Sequence, residues 1–465
     1  MAIEQKTVPE NFRVIIVGGG PVGLTTALAL SKAGIDFVLL ERRDNVLNPS
    51  IGAGVALWPH GIRFMSQLGL HDRLAPLGVA QRQITTQTLQ GHMYGVHKTF
   101  AITEKKHGAC LTMFHRAHII EAIHSGFSAK EVRSQILTNK KLKSIDTTDT
   151  GVVVTCHDGS VYKGSIVIGA DGVHSKTRQL MRSMALEHKS REVNPEKPFS
   201  VEYRLLWGTV PRTPALNLDK NNFYETHGKD ASMQAISSND FTYLFVYERI
   251  PPGGAKTKAV PYTDEEADAM AARWQHMAVG DITLGELYAQ RSVAGLVDLD
   301  EGVVPHWSWG GRVVLVGDSC HKVTPNRGIG FNIGLGDVAV LVSEIHGVIA
   351  NSMGGSPSSD DLQEAFVRYQ AKRAKSVKTI AGICWDAIRQ MSWKTTMDWL
   401  MDRYILAWIP GYDNILAYYL ANLLRKEPVL DCVESEEYYT GTLPWANAFP
   451  VPRSGNLKGS LSDSE

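Results

Sequence analysis

The chain has 465 residues, of which 43% are hydrophobic and 21% are charged, so it is long enough to form more than one hydrophobic core. Lysine and arginine together balance aspartate and glutamate at 48 residues each. This balance, and the lack of a basic run in the sequence, exclude a general electrostatic attraction to nucleic acid.

The cysteines and the N-terminal sequence indicate a cellular compartment. The five cysteines are scattered, without a CxxC pair or a metal-like spacing with histidine. Such an odd, dispersed set is typical of a reducing compartment. The N-terminal sequence MAIEQKTVPENF is polar and lacks the apolar segment of a secretory signal. We therefore expect a cytoplasmic protein and assign no metal site.

The first predicted elements are two apolar strands, Val14–Val17 and Phe37–Leu40, on either side of a helix-length stretch from Pro21 to Ala33. This order predicts a βαβ unit with parallel strands and a right-handed crossover. Glu41 follows the second strand directly, where a carboxylate can accept hydrogen bonds from ribose hydroxyls. The segment therefore favours a dinucleotide-binding fold.

A Gly18-x-Gly20-x-x-Gly23 motif joins the first predicted strand to the helix. Gly18 allows a tight turn, Gly20 allows the backbone to approach a pyrophosphate, and Gly23 allows helix and strand to pack closely. The free N–H groups and the dipole at the helix N-terminus favour the negative charge of the phosphates. The motif by itself does not distinguish NAD from FAD.

The remaining elements alternate between two types of segment. Strands are predicted near 152–155 and 164–168, and residues 199–250 have the composition of an antiparallel sheet. Another strand is predicted at Arg312–Asp318, followed by a glycine-rich turn and an apolar helix. Dinucleotide-type segments therefore enclose a sheet-rich insertion.

A long apolar stretch near the C-terminus, YILAWIPGYDNILAYYLANLL from Tyr404 to Leu424, raises the question of a membrane. The Pro410-Gly411 break and the acid Asp413 near its middle argue against a spanning helix. We expect two short helices packed on the body of the protein. The alternative is peripheral contact of 397–424 with a membrane, in which interfacial aromatic residues would take part. These residues are Trp399, Trp408, Tyr412, Tyr418 and Tyr419.

Two later motifs, GADGVHSKTR at 169–178 and GDSCHKVTPNRGIGFNIGLGD at 317–337, carry a family resemblance. Together with the N-terminal motif, they resemble the FAD-dependent aromatic-hydroxylase class (class A) of flavoprotein monooxygenases, with the fold of p-hydroxybenzoate hydroxylase. The resemblance runs from about Phe12 to at least residue 345. The stretches ERR, GAGVALWPHGIRFMSQLGL and FHRAHIIEAI are most similar to fungal secondary-metabolite enzymes, which epoxidise or hydroxylate terpenoid, indole and polyketide intermediates.

The resemblance implies an α/β protein with a Rossmann-like FAD-binding domain, an inserted mixed β-sheet substrate domain and C-terminal helices. The FAD-binding domain is predicted to be discontinuous, over 12–80, 108–190 and 300–350. The substrate domain is predicted over 81–107 and 191–299, and the helical segment over 351–430. The polar residues 451–465 are predicted to be a disordered tail.

The resemblance also implies which residues hold FAD. Gly18, Gly20 and Gly23 would contact the pyrophosphate, Glu41 the adenosine ribose and Asp318 the ribityl chain. Gly54 and Arg116 match FAD-contacting positions, and Asp171 matches an acid linked to both FAD and NAD(P)H binding. The residues implied beside the isoalloxazine ring are Pro325, Gly328, Gly330, Phe331 and Asn332. A helix N-terminus at this turn would also stabilise negative charge on a reduced flavin.

Two residues depart from the family pattern in this turn. Phe331 stands where family members often carry a small residue, and it would either narrow the flavin site or pack inside the helix. Arg327 stands where they often carry an uncharged residue. It would contact an NADPH phosphate or an acidic substrate, or it would be a solvated surface arginine.

The implied catalytic residues are Arg204, in VEYRLLWG, and Tyr224, in FYETHGKD. Arg204 would donate to a developing oxyanion or protonate an epoxide oxygen, and Tyr224 would hydrogen-bond the substrate. The alternative for both is sheet structure, with an exposed charge and a half-buried aromatic ring. His321 is interpreted as a hydrogen-bonded structural histidine rather than a base.

The function that the resemblance implies is oxygen transfer to a hydrophobic, electron-rich small molecule. NADPH, or less favourably NADH, would reduce FAD, and O₂ would form a C4a-hydroperoxide that delivers oxygen. Two alternatives stay open: an FAD-dependent dehydrogenase or reductase, and a non-redox protein on the same scaffold, either a cyclase or a binding module that uses FAD structurally. No feature of the sequence specifies an oligomeric state.

Overall fold

The structure is a computed structural model. It describes residues 12–47, 54–216, 218–251, 254, 261–352, 355–406 and 409–451. Trp408 and the predicted tail beyond Val451 lie outside the described residues.

A six-stranded sheet forms the centre of the dinucleotide-type part of the chain. Its strands, in spatial order, are Ser308–Trp309, Val313–Leu315, Ile166–Gly169, Arg13–Val17, Asp36–Leu40 and Ile136–Leu137. All neighbours are parallel except the first pair. The parallel strands are continuous apolar runs because helices cover both faces of such a sheet. The predicted βαβ unit is confirmed, with its helix at Pro21–Lys32.

A second, eight-stranded sheet forms the inserted part. Its strands, in spatial order, are His321–Lys322, Val293–Val303, Ser200–Pro211, Phe241–Arg249, Ala231–Ser237, Asn222–Gly228, Gln83–Thr88 and Met93–His97. Asn222–Gly228 pairs in parallel with Gln83–Thr88, and every other pair is antiparallel. The expected mixed sheet is therefore present, and its strands at 83–97, 200–303 and 321–322 alternate along the chain with strands of the six-stranded sheet.

The two faces of this large sheet contact different parts of the molecule. Leu206, Met233 and Leu244 face one core, which the helices Asp264–Trp274 and Leu284–Ala289 complete. Tyr203, Leu205 and Tyr247 face the opposite side, where Ile388 of the helix Ser359–Met391 packs on them. Because successive side chains of a strand alternate between faces, odd-numbered and even-numbered residues of one strand point to opposite sides of the sheet.

The remaining elements cover these sheets. The small sheets consist of Leu142–Thr148, Gly151–Cys156 and Val161–Gly164, of Gly54–Leu57, Thr112–His115 and Val79–Ala80, and of Ala278–Val279 and Ile282–Thr283. The other α-helices are Pro59–Gln67, His71–Leu74, Thr99–His107, Arg116–His124, Ala129–Gln135, Lys176–Glu187, Gly330–Asn351, Thr396–Leu400 and Tyr412–Leu424. Short 3₁₀ turns lie at Pro214–Leu216, Gly317–Ser319 and Pro325–Arg327, and a π-helical turn at Met401–Ile405.

The helix Gly330–Asn351 crosses the core. Among the described residues it alone is long and apolar enough to cross a membrane, but most of it is buried inside the protein. Asp337 anchors it, accepting a hydrogen bond from Arg373 Nε at 3.0 Å and pairing with His321 Nε2 at 2.5 Å. Arg373 also binds Glu427 at 2.9 Å, so this buried network joins two long helices to the C-terminal segment.

The apolar C-terminal stretch is interrupted, as expected. A helix at Thr396–Leu400 continues into the π-helical turn, and the helix Tyr412–Leu424 begins after Gly411, which has φ +70°. The latter helix packs against Thr99–His107. Asp413 turns inward and accepts from the Lys98 backbone N–H at 2.9 Å.

Candidate active site

The glycine turn after the first strand creates space for a ligand at a helix N-terminus. A Cβ on Gly18, which has φ +107°, would lie 2.6 Å from the Ala170 carbonyl oxygen, and one on Gly23 would lie 1.9 Å from the Gly18 carbonyl oxygen. These two glycines therefore serve the turn and the packing. A Cβ on Gly20 would meet no atom within 4 Å in the part of the chain that the structure describes. Gly20 thus leaves open the approach to the free N–H groups of the helix.

Glu41 lies at the end of the second strand, 5% exposed. Its carboxylate accepts hydrogen bonds from the backbone N–H of Gly19 at 2.6 Å and of Arg43 at 2.9 Å. A carboxylate has about four acceptor positions, so Glu41 keeps capacity for ribose hydroxyls. The two backbone bonds hold it in place for that role.

A cavity of about 500 Å³ opens beside these residues. Gly18, Gly20, Glu41 and the Asp171-Gly172 turn form its inner wall. Its other lining residues include several basic ones, which suit a ligand with phosphate groups. They include Arg42, Arg43, Lys140, Lys141, His157, His174 and Lys176. We call this space the nucleotide cavity.

A second cavity of about 280 Å³ lies between the 325–331 turn and the large sheet. We call it the ring cavity. Four residues, Pro21, Val22, Arg116 and Asp318, line both cavities. The two cavities therefore meet at these residues and form one elongated site. Gly54 and Ala56 line the ring cavity on one side, and Phe331 lines it as well as packing against the core.

Arg116 and Asp318 provide polar groups where the cavities meet. The Arg116 Nε is buried and has no hydrogen-bond partner among the described residues. Its burial lowers the pKa of the guanidinium, and Asp318 acts in the opposite direction. Asp318 is half-exposed and pairs with Lys322 at 2.5 Å. An unpartnered buried donor beside an accessible carboxylate fits a ligand that carries both acceptor and hydroxyl groups.

The turn before the core helix shapes the ring cavity. Pro325, Gly328 and Gly330 line it. Gly328 has φ +58°, and a Cβ there would lie 2.7 Å from the Ala56 Cβ. The helix begins at Gly330, so its first backbone N–H groups have no carbonyl partner one turn earlier. Flat, partly negative ring systems can approach such a turn closely.

Two predicted cofactor-binding residues use their side chains for hydrogen bonds to other protein groups. Asn332 accepts from the Trp58 N–H at 2.9 Å and donates to the carbonyls of Ala56 at 2.9 Å and Gly328 at 3.0 Å. Asp171 accepts from the Thr177 N–H at 2.9 Å and from the Ser175 hydroxyl at 2.5 Å. Both side chains hold loops in place, and Asp171 additionally lines the nucleotide cavity.

Arg204 and Tyr224 lie on the face of the large sheet that points away from the ring cavity. Arg204 Nε lies 3.4 Å from Glu248 Oε2, and the Tyr224 hydroxyl accepts from the Asp219 N–H at 3.2 Å. Tyr224 packs on the core with the helix Asp264–Trp274. Neither residue lines the nucleotide cavity, the ring cavity or any cavity next to them, and their contact with substrate stays a prediction of the resemblance. Neither residue has a role in the function that we propose.

For Arg204→Ala we expect a fall in the free energy of unfolding of about 2 kcal/mol, because the Arg204–Glu248 pair is largely buried and Glu248 keeps only Arg273 and Trp274 as partners among the described side chains. Turnover per bound FAD should stay unchanged. Thermal unfolding and turnover normalised to flavin content measure the two effects. A large fall in turnover per flavin would instead support the catalytic role implied by the resemblance.

On the strand Asn222–Gly228, the residues on either side of Tyr224 in sequence point to the opposite face of the sheet, toward the ring cavity. Phe223 lines the ring cavity, and its neighbour on that face, Glu225, accepts from Arg327 Nη1 at 3.1 Å and from Gln234 Nε2 at 2.7 Å. Arg327 is therefore an ion-pair partner of a buried acid rather than a solvated surface arginine. Residues 223, 225 and 227 follow the period of a strand, which was the one signal in the sequence for their common face.

His227 extends this buried charge network. Its Nδ1 lies 3.0 Å from Asp402 Oδ2 and its Nε2 lies 3.6 Å from Glu225 Oε2. Burial would lower the pKa of His227, but Asp402 and Glu225 outweigh it and raise the pKa to about 9. Burial would raise the pKa of Glu225, but Arg327 and His227 lower it to about 2. All four groups are thus charged at neutral pH, and the network is neutral in sum.

An apolar cavity of about 320 Å³ lies beyond Phe223 and Arg327, which line it as well as the ring cavity. Its walls come from the long helix Ser359–Met391 and the helix Tyr412–Leu424. Most of the wall is aliphatic or aromatic, so it suits an apolar group. The lining includes Trp58, Ile84, Phe100, Ile380, Ile383, Ala387, Tyr412, Leu416, Leu420 and Leu424.

Cys320, His321 and Asp337 place three potential metal-ligating atoms within 4.8 Å of one another. The Cys320 thiol donates to the Gly317 carbonyl, and burial raises its pKa well above the usual value. Asp337 binds His321 and Arg373, as described above. These bonds use the three side chains in the packing of the core helix, and His321 has the structural setting expected of it.

Comparison with known proteins places these observations in a family. Residues 11–378 match the family model described as FAD binding domain. The FAD-dependent monooxygenase srdH of Neurospora crassa is 32% identical over 456 residues, which cover 95% of this chain and 100% of that protein. Several further fungal relatives are also named FAD-dependent monooxygenases.

Solved structures share the fold at low identity. HpxO of Klebsiella pneumoniae, complexed with FAD and uric acid, has a TM-score of 0.70 and 19% identity, covering 90% of this chain and 98% of that chain. The Diels-Alderase PyrE3 of pyrroindomycin biosynthesis has a TM-score of 0.66 and 20% identity, covering 90% and 82%. The expected α/β fold with a Rossmann-like FAD-binding part is confirmed.

Proposed function

The chain belongs to the FAD binding domain family, and from that premise we propose that it is a monooxygenase that inserts oxygen into an apolar, electron-rich small molecule of secondary metabolism. The reaction would be a hydroxylation or an epoxidation with NAD(P)H and O₂. The observation that supports the substrate class is the apolar cavity next to the ring cavity, with Phe223 and Arg327 between them.

The elongated site fits FAD in its chemistry. The helix N-terminus at Gly20 would hold the pyrophosphate and Glu41 the ribose. Asp318 would hold the polar chain between the two ends together with Arg116, whose Nε has no hydrogen-bond partner among the described residues. The turn at Gly328 would lie against the ring system. Bound FAD supplies hydride acceptance from NAD(P)H and the activation of O₂.

The large sheet provides the wall that would receive the substrate. Phe223, Ile236 and Phe245 present apolar surface to the ring cavity, and Gln234 is the polar group among them. Gln234 is fixed, because it donates to Glu225 and accepts from the Tyr247 hydroxyl at 3.0 Å. An apolar wall excludes water, which protects reactive oxygen species from unproductive decay. These residues would bind and orient the substrate.

Arg327 would provide fixed positive charge at the boundary of the two cavities. Glu225 and the turn position it. A substrate with a phenol or carbonyl oxygen could direct that oxygen at Arg327 and extend its apolar part into the apolar cavity.

The ratio of NADPH and O₂ consumed to product formed distinguishes this function from the alternatives. Candidate apolar alkenes, indoles and phenols are incubated with the FAD-loaded protein and NADPH. We expect one NADPH and one O₂ consumed for each product molecule. NADPH oxidation without equivalent O₂ use would indicate a reductase, and product of unchanged mass without NADPH use would indicate a cyclase.

Filling the apolar cavity should raise the KM for the substrate and leave FAD binding unchanged. Ala387 lines that cavity on the long helix, so we expect Ala387→Trp to raise KM by about tenfold or more. Flavin content should be unchanged. Ala371, exposed on the same helix, gives the matched control Ala371→Trp. Equal KM values in the two variants would remove the apolar cavity from the substrate site.

A further inference from the structure

One part of the surface carries an unusual concentration of exposed apolar side chains. Half of the large hydrophobic residues that are exposed among the described residues lie between 397 and 419. Each is between 37% and 61% exposed. We call this set the terminal face. It consists of Met397, Trp399, Leu400, Tyr404, Ile405, Ile409, Ile415, Tyr418 and Tyr419.

Two of the three acids in this segment, Asp402 and Asp413, bind groups of other elements, whereas Asp398 caps its own helix near the surface. Asp402 accepts from Tyr94, at 2.6 Å, and from Trp393 Nε1 at 2.8 Å, in addition to its pair with His227. Asp413 lies 2.8 Å from His97 Nδ1. Asp398 accepts from Thr395 at its own helix N-terminus. Negative charge on the terminal face is therefore small for so long a segment.

Basic groups border the terminal face. The Lys106 ammonium lies 5.2 Å from the centre of the Tyr418 ring, and Lys105 beside it is exposed. Exposed Lys426 follows the helix Tyr412–Leu424. Lysines can extend along an apolar surface and place their charge at the level of lipid headgroups. Each basic group close to an anionic bilayer contributes about 1 kcal/mol of attraction.

The helix Tyr412–Leu424 separates this face from the apolar cavity. Ile415, Tyr418 and Tyr419 point outward, whereas Leu416 and Leu420 line the cavity. At about 1.5 Å per residue the helix is too short to cross a bilayer core of about 30 Å. It is apolar on both faces, and the tyrosines on its outer face are of the residue type that is enriched at membrane–water interfaces.

From these observations we propose that the terminal face docks on the surface of a membrane containing anionic phospholipid, with the helix Tyr412–Leu424 parallel to it. A protein partner fits less well, because interfacial aromatic residues, two inward acids and bordering lysines together match the layered chemistry of a bilayer surface. Docking in this orientation places the apolar cavity one helix away from the lipid, where apolar molecules concentrate.

Vesicle flotation of the FAD-loaded full chain tests the proposal. We expect binding to vesicles of phosphatidylcholine with about one-third phosphatidylserine, and weaker binding to phosphatidylcholine alone. Ile415→Asp should lower the partition by about tenfold or more, since it removes buried apolar area and adds repulsion. Lys106→Glu should reduce the dependence on phosphatidylserine.

The matched control is Val367→Asp, which places the same charge at an exposed valine of another helix. It should bind vesicles as the parent does, and flavin content reports the fold in each variant. Equal partition of Ile415→Asp and Val367→Asp, or no flotation of the parent, would overturn the proposal. So would a parent dimer that Ile415→Asp dissociates in the absence of vesicle binding, because the face would then bind a second copy.

Discussion

We expect Gly20→Val to fold as the parent chain does and to lose FAD affinity by about 100-fold or more. Gly20 has φ −71°, which valine adopts without strain, and no atom of the described residues lies within 4 Å of its Cβ position. The new side chain would occupy the nucleotide cavity at the helix N-terminus. Excluding a pyrophosphate from this contact costs about 3 kcal/mol, which corresponds to the stated change in affinity.

The measurement is flavin titration of the apoprotein, with circular dichroism as the check on folding. The control is Gly347→Val, since Gly347 lies on the core helix and also has an open Cβ position. It should retain FAD affinity. A Gly20→Val protein that is folded and binds FAD as Gly347→Val does would contradict the assignment of the nucleotide cavity. Gly18→Val is less informative, because it clashes with the backbone at Ala170 and threatens the fold itself.

We expect Glu225→Gln to lower the free energy of unfolding by about 3 kcal/mol. The change keeps the shape of the side chain but leaves Arg327 without its carboxylate and His227 with Asp402 alone. Removing one member of a buried ionic network leaves uncompensated charge, which is strongly destabilising. Urea unfolding at neutral pH measures the effect. Glu104→Gln, which removes a carboxylate from a surface pair with Arg82, should cost about 1 kcal/mol or less.

The same network makes the free energy of unfolding depend on pH. The pKa of His227 is about 9 in the folded protein and about 6.5 in the unfolded chain, so the folded state binds more protons between these values. Its contribution is therefore complete below pH 6.5 and is lost as the pH rises through about 9. In Glu225→Gln the loss should begin at a lower pH, because one of the two carboxylates is missing. An unchanged unfolding profile from neutral to alkaline pH would contradict the coupling.

The dinucleotide part of the fold could be predicted because its determinants are local. Glycine spacing, the neighbouring apolar runs and Glu41 specify the turn, the helix and the ribose position within one short segment. The structure brings Gly18, Gly20, Glu41 and Asp318 to one cavity, although the last is far along the chain. The motifs predicted that these residues would lie together, because the same turn recurs wherever this chemistry is needed.

Side-chain direction was harder to predict. Asp171 and Asn332 belong to recognisable motifs, but their side chains bind the protein's own loops, which no spacing rule reveals. Arg204 and Tyr224 lie on site-forming strands, and a difference of one position places them on the far face. Parity along a strand fixes relative faces, whereas the packing of the whole sheet decides which face meets the ligand.

The charge network could not be predicted from sequence because its members are distant from one another. His227 and Asp402 are separated by 175 positions, and Asp402 lies in the predominantly apolar segment 397–424. Only the packing of that segment on the edge of the large sheet brings the carboxylate to the imidazole. The same packing explains why Asp402 and Asp413 contribute little charge to the outer surface of this apolar stretch.

The most direct test of the account is the fate of molecular oxygen. The FAD-loaded protein is given NADPH, an apolar substrate that it converts, and isotope-labelled O₂, and the product is analysed by mass spectrometry. We predict that each product molecule gains one labelled oxygen atom. Product that carries no label, or label found only in hydrogen peroxide and water, would contradict the assignment of this protein as a monooxygenase.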